Sequence, residues 1–157
     1  MTARPLLSVR GLRKTFAAGS GGAFKRRSTI LAVDDLDFDI KQGETLGLVG
    51  ESGCGKSTTG RLVLRLLEPT AGTVTFDGQD LSVLAAAEMR ALRKRIQIVF
   101  QDPFGALNPR MTVGELIIEP LIVHSVGDAV AREQKLRVLL DRVGLSAWHA
   151  GRFPHEL

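Results

Sequence analysis

The sequence predicts an α/β fold, and three observations predict it. Leu36, Phe38 and Ile40 alternate with Asp37 and Asp39, the period-2 pattern of a strand with one wet face, suited to an antiparallel sheet. Residues 45–49 (TLGLV) form a nearly continuous apolar run, as expected of a strand covered on both faces in a parallel sheet. A helical pattern then runs from about Lys56 to Leu67. It sets Leu62, Val63, Leu66 and Leu67 on one face and Arg61 and Arg65 on the other, and Pro69 stops it.

The composition bounds what such a fold can do. A chain of 157 residues that is 44% apolar can build the core of one domain or a piece of one. Charged residues make up 24% and the net charge is +4, which is ordinary for a soluble protein and too diffuse to argue for nucleic acid. The single Cys54 cannot form an internal disulfide. Arg4 and Pro5 are followed by only two leucines before Ser8 and Arg10, so no basic-then-apolar leader opens the chain. Leu116 to Val123 is broken by Glu119 and Pro120, well short of the roughly 20 apolar residues that span a bilayer. The expectation is a reducing, cytosolic protein that serves any membrane from outside it.

Ala17 to Ser28, Gly-rich and then basic, reads as a surface loop inserted in a hairpin. After the apolar run at 45–49, residues Gly50 to Ser57 read GESGCGKS and fit G-x-x-x-x-G-K-[ST] between a strand and a helix, the context a P-loop requires. The residue types follow from the task. Gly50, Gly53 and Gly55 let the backbone curl until successive N–H groups point inward at phosphate oxygens, with Glu51, Ser52 and Cys54 filling the positions between. Lys56 can reach the β- and γ-phosphates as a point charge. Ser57 can offer its hydroxyl to Mg²⁺, Thr58 continues the helix start, and the helix N-terminus adds partial positive charge. Cys54 occupies a variable position of the motif and reads as a small filler.

Downstream, Ile96 to Phe100 reads as an apolar strand, and Gln101 stands at its carboxyl end, where ligands bind in open α/β sheets. Asp102, Pro103, Asn108 and Pro109 then break regular structure. From Asp128, Leu136, Leu139, Leu140 and Val143 form a helix face at i, i+3, i+4, i+7, capped by Asp128 and ended by Gly144. Arg90, Arg93, Lys94 and Arg95 read as the solvated side of an amphipathic helix. His124, His149 and His155 lack the spacing of a metal site.

A P-loop alone does not choose among kinases, GTPases and transport ATPases. The flanks do: ILAVDDLDFDIKQGETLGLVGESGCGKST resembles the opening of ABC transporter ATPases, and IQIVFQDPFGALNPRMTVGELIIEPL resembles their Q-loop segment in the form found in oligopeptide, dipeptide and nickel importers. The closing RFPHEL resembles the approach to that family's signature motif, with Leu157 as its first position. The fold implied is a P-loop NTPase core with an antiparallel β portion before it, together about 1–103, and the start of a helical subdomain at about 104–157. The resemblance further implies that Phe16 stacks on adenine, where the family often has tyrosine, the alternative being a core residue at a strand end. Gln101 takes the Q-loop position, holding Mg²⁺ with Ser57, positioning water and sensing the membrane subunit. ATP and Mg²⁺ are the implied ligands. Integral-membrane permease subunits, a second ATP-binding subunit in a homo- or heterodimer and, indirectly, a solute-binding protein are the implied partners, on the cytoplasmic face of the membrane. Family members continue into a Walker B aspartate, an adjacent glutamate and a switch histidine after the point where this sequence stops. Nucleotide binding without turnover is therefore the alternative for the chain itself, and a different P-loop enzyme such as a kinase, which would show a lid or base motif, is the other.

Overall fold

The computed structural model describes residues 4–18 and 28–157, in two compact units, Met1–Ile96 and Gln97–Leu157. The expected loop of residues 17–28 lies outside the described residues except at its ends, which are strand.

In the first unit β1 (Leu7–Ala18) pairs with β2 (Ser28–Ile40) on one edge and with β3 (Ala71–Phe76) on the other, and β3 pairs with β4 (Gln79–Asp80). Every pairing is antiparallel, in the order β2-β1-β3-β4. The alternation read from Leu36 to Ile40 holds: the apolar residues are half-buried, while Asp37 and Asp39 are exposed. Val9 and Leu12 of β1 are fully buried and pack with Val33, Val74 and, from the helices, Leu62, Met89 and Leu92. The β1–β2 register slips three times. Between the pairs Lys14–Val33 and Thr15–Leu31, β2 advances two residues for one on β1, which leaves Ala32 as the extra residue of a bulge. β3 and β4 are joined by Asp77 and Gly78 with φ of 48° and 80°, a two-residue turn of left-handed residues that suits the right-handed twist of the strands.

Two strands expected from the sequence are not found as strands. Residues 45–49 and 96–100 carry no ladder among the described residues, and Val49 and Val99 are 94% and 95% exposed. The physical reason is that a parallel strand exists only through neighbours on its edges and cover on its faces, and no described residue supplies either.

The helix after the P-loop is also shorter than its apolar pattern suggests. α1 is Lys56–Val63, and Arg65 turns left-handed at φ 49°. The Leu66 N–H donates to the Arg61 carbonyl at 2.8 Å and the Arg65 N–H to the Leu62 carbonyl at 2.9 Å, the two bonds of a Schellman ending. Glycine usually holds that position. Here the arginine side chain compensates: its guanidinium donates to the carbonyls of Leu81 at 2.6 Å and Leu84 at 2.8 Å and to the Glu68 carboxylate at 3.0 Å. Arg65 is therefore a tie between the end of α1 and the chain before α2 (Ala86–Leu92), not a solvated side chain. Arg93, expected on a solvated face, reaches back to the carbonyls of Leu64 at 2.6 Å and Arg65 at 3.1 Å and satisfies acceptors that a helix end leaves orphaned. Arg95 pairs with Asp77 at 2.7 Å.

The second unit holds α3 (Pro103–Ala106), α4 (Val113–Val123) and α5 (Ala129–Arg142). Thr112 and Glu115 close a capping box on α4, with the Thr112 N–H donating to the Glu115 carboxylate at 2.7 Å. Asp128 caps α5 by accepting from the Ala131 N–H at 2.8 Å, and Gly144, at φ 73°, ends it, both as the sequence indicates. Val113, Leu136 and Leu140 are the buried core of this unit, whereas Val143 is 69% exposed, because it caps the helix after the apolar face has turned away. Among the described residues no helix is long and apolar enough to cross a membrane.

Candidate functional site

The loop of residues 50–55 is shaped by backbone rather than by side chains. Gly55, the residue before α1, sits at φ 96°, and a Cβ there would lie 2.3 Å from the Ala32 carbonyl oxygen. Glycine is thus required twice over, by conformation and by contact. The contact comes from the bulge, which puts the extra residue of β2 against the start of the helix. Gly53 shares the left-handed geometry at φ 84°, and a Cβ on Gly50 would meet Cys54 Sγ at 2.6 Å. Within the loop the Cys54 N–H donates to the Glu51 carbonyl at 3.4 Å.

Helix α1 starts without a side-chain cap and with no acidic residue in its first turn. Its first intrahelical bond runs from the Thr59 N–H to the Gly55 carbonyl at 2.8 Å, so the N–H groups of Lys56, Ser57 and Thr58 precede any such partner and carry the positive end of the helix dipole. Lys56 folds back over the loop and donates to the carbonyls of Gly50 at 2.7 Å and Glu51 at 2.6 Å, with Cys54 Sγ 3.6 Å away. The ammonium is held at the mouth of the loop by main-chain oxygens that a better acceptor can replace. Ser57 is exposed, and Thr58 is half-buried. Thr59 is buried at 5% exposure, and its hydroxyl donates to the Gly55 carbonyl at 3.0 Å. Sequence reasoning missed Thr59 and Ala32: a hydroxyl one turn into the helix and a bulged alanine leave no pattern to read.

A cleft of ≈ 370 Å³ lies beside this loop, lined by Leu31, Ala32, Val33, Leu48, Cys54, Lys56 and Thr59 among others. That volume is within the range of small-molecule sites. The residues present fit a phosphate chain with a hard divalent cation: curled backbone donors and an ammonium for the anion, and the Ser57 hydroxyl oxygen for the metal. Among the described residues no group of three or more His, Cys, Asp or Glu is gathered that could hold a metal on its own.

Phe16 is joined to this neighbourhood through the sheet. It pairs with Ile30, two residues before the bulged Ala32 whose carbonyl faces Gly55. Phe16 is 39% exposed. Gln101 belongs to the second unit, exposed, at the bend that precedes α3. The turn after it is ordered by Asp102, whose carboxylate accepts from the Gly105 N–H at 3.1 Å, so a short helix stands where the sequence indicated only broken structure.

The chain is similar to known proteins along nearly its whole length. The oligopeptide transport ATP-binding protein AppF of Bacillus subtilis is 48% identical over 152 residues, which are 96% of this chain and 46% of that protein. The glutathione import ATP-binding protein GsiA of Pectobacterium atrosepticum is 49% identical over 154 residues, 98% of this chain and 25% of that protein. The chain thus spans about half or less of the length of the curated relatives it matches. A dimeric structure of the ATP-binding cassette MJ0796, bound to ADP and Pi, superposes with a TM-score of 0.78 at 29% identity, covering 96% of this chain and 62% of that one. The family model described as ABC transporter matches residues 33–157, from the strand that bulges against the P-loop through the whole second unit, and the chain belongs to that family.

Proposed function

We propose that this chain is the nucleotide-binding portion of an ATP-binding subunit that couples ATP binding and hydrolysis to solute import, with peptides as the substrate class. The observation that carries the reading is the P-loop geometry. Gly53 and Gly55 stand in left-handed conformations, the start of α1 is uncapped, and Lys56 rests on carbonyls that a phosphate would displace. Residues Gly50 to Thr58 would hold the phosphates, Phe16 the adenine, and Ser57 with Gln101 the Mg²⁺. The bound nucleotide and cation supply the transferable phosphoryl group and its charge neutralisation, and the chain contributes positioning and electrostatics, which are most of what phosphoryl transfer requires. On the same reading the β and P-loop part takes in about residues 1–103 and a helical subdomain begins over about 104–157, while the compact units themselves divide after Ile96.

The peptide class comes from the name of AppF, an oligopeptide transport protein, and GsiA is named for glutathione, itself a short peptide. Permease subunits, a second ATP-binding subunit and a place on the cytoplasmic face of the membrane follow from the same kinship. The test is titration of ATP, with Mg²⁺, into the protein at the full length its gene encodes and into its Lys56→Ala variant. Saturable binding that the variant loses is expected, because the β- and γ-phosphates lose the only cation the motif assigns them. Undiminished binding in Lys56→Ala would sink the assignment.

A further inference from the structure

Lys14 has no role in anything above, yet its side chain is anchored. Its ammonium donates to the Glu68 carbonyl at 2.7 Å and lies 5.2 Å from the centroid of the Phe16 ring. The two side chains are two residues apart on one strand and so share a face of β1. The strand is fastened on both sides of Lys14: the Thr70 N–H donates to the Arg13 carbonyl at 2.8 Å, and the Thr15 N–H donates to Thr70 Oγ1 at 3.0 Å. Glu68 and Thr70 belong to the segment between α1 and β3, so Lys14 bridges the strand that carries the ring and the chain that leaves the P-loop helix.

We propose that Lys14 is a positioning residue for the base of the nucleotide: it covers one face of Phe16, holds the ring still, and leaves the other face as the stacking surface. This rests on the nucleotide reading above. Two pieces of chemistry support it. A cation over a ring face is attracted by the ring's quadrupole, so the contact fixes the ring rather than merely adjoining it. A ring already fixed loses less freedom when a base settles on it. Phe16 remains 39% exposed with Lys14 in place, so surface is left for a base.

The experiment compares ATP with inorganic tripolyphosphate, which has the anion and no base, by calorimetric titration of the full-length protein. Lys14→Leu should weaken ATP about threefold, the size of one cation–ring contact at a part-exposed site. It should leave tripolyphosphate binding unchanged, which also certifies that the variant is folded. Lys14→Arg should restore ATP affinity, because a guanidinium serves over a ring as well as an ammonium does. In a Phe16→Ala background Lys14→Leu should have no further effect, the signature of two residues acting as one. Equal losses for ATP and tripolyphosphate would make Lys14 a phosphate ligand and overturn the proposal. So would a loss that persists in Phe16→Ala, or no loss in Lys14→Leu while Phe16→Ala weakens ATP. If Phe16→Ala leaves ATP untouched while Lys56→Ala abolishes it, the adenine site itself is misplaced and this inference falls with it. If Lys56→Ala binds normally, the nucleotide reading fails before Lys14 is reached.

Discussion

Gly53 and Gly55 stand two residues apart in one loop, both left-handed, and the structure assigns them different reasons for being glycine. A Cβ on Gly53 would meet nothing within 4 Å, whereas one on Gly55 would lie 2.3 Å from the Ala32 carbonyl oxygen. Gly53→Ala therefore adds only the conformational term of an L-residue at positive φ, about 1–2 kcal/mol. Gly55→Ala adds the same term plus an overlap with main chain that cannot rotate away, a further 1–3 kcal/mol of the kind seen on overpacking. The expected totals are about 1–2 kcal/mol for Gly53→Ala and about 2–5 kcal/mol for Gly55→Ala. The assay is urea denaturation followed by circular dichroism, with the midpoint compared at constant slope, alongside ATP titration of each variant. Because the displaced atom belongs to the bulge of β2, Gly55→Ala should weaken ATP binding more than Gly53→Ala does, by moving the wall of the cleft as well as the loop. Equal destabilisation by the two, or a larger effect from Gly53→Ala, would refute the claim that the bulge sets the shape of the loop.

Arg93→Ala should cost about 2 kcal/mol by the same denaturation assay, since two charged donors are withdrawn from the carbonyls of Leu64 and Arg65, and Arg93→Lys should recover only part of it because an ammonium lacks the fork. The Phe153 N–H, and after it the Arg152 guanidinium, hold the Glu156 carboxyl below its ordinary range. A depressed acid contributes stability that is present above its unfolded value and lost as pH falls through its folded value, so the turn at Pro154–Glu156 should loosen on acidification. A Glu156 carboxyl NMR titration with a midpoint at or above that of free glutamate would contradict it.

What the sequence makes legible is what repeats along one chain: the alternation of β2, the Gly-Lys-Ser spacing, and the Asp128 and Gly144 boundaries of α5. The two-residue turn at Asp77 and Gly78 is legible too, since Asp-Gly between β-rich runs is a strong hairpin signal. Other features depend on partners far away in sequence. The bulge at Ala32 exists because two strands of unequal residue count must stay paired. The left-handed Arg65 survives because carbonyls at Leu81 and Leu84 reward its side chain. Residues 45–49 carry the composition of a buried strand, but composition states only what a segment can become when neighbours arrive. At the site, the motif located Lys56 and left its posture unknown; it fixes Gly55 and puts Gly53 at a variable position, but does not say what a side chain at either would strike.

The arginines at the end of α1 have an evolutionary consequence. Arg65 and Arg93 grip main-chain carbonyls of Leu81, Leu84, Leu64 and of Arg65 itself, and every amino acid carries a carbonyl. The grip itself therefore places no demand on the side chains at Leu81, Leu84 and Leu64, and gives compensating substitutions between partners no reason to arise. Methods that infer contacts from paired changes across homologues would be blind at this corner of the fold. It would register instead as two arginines that change rarely and alone.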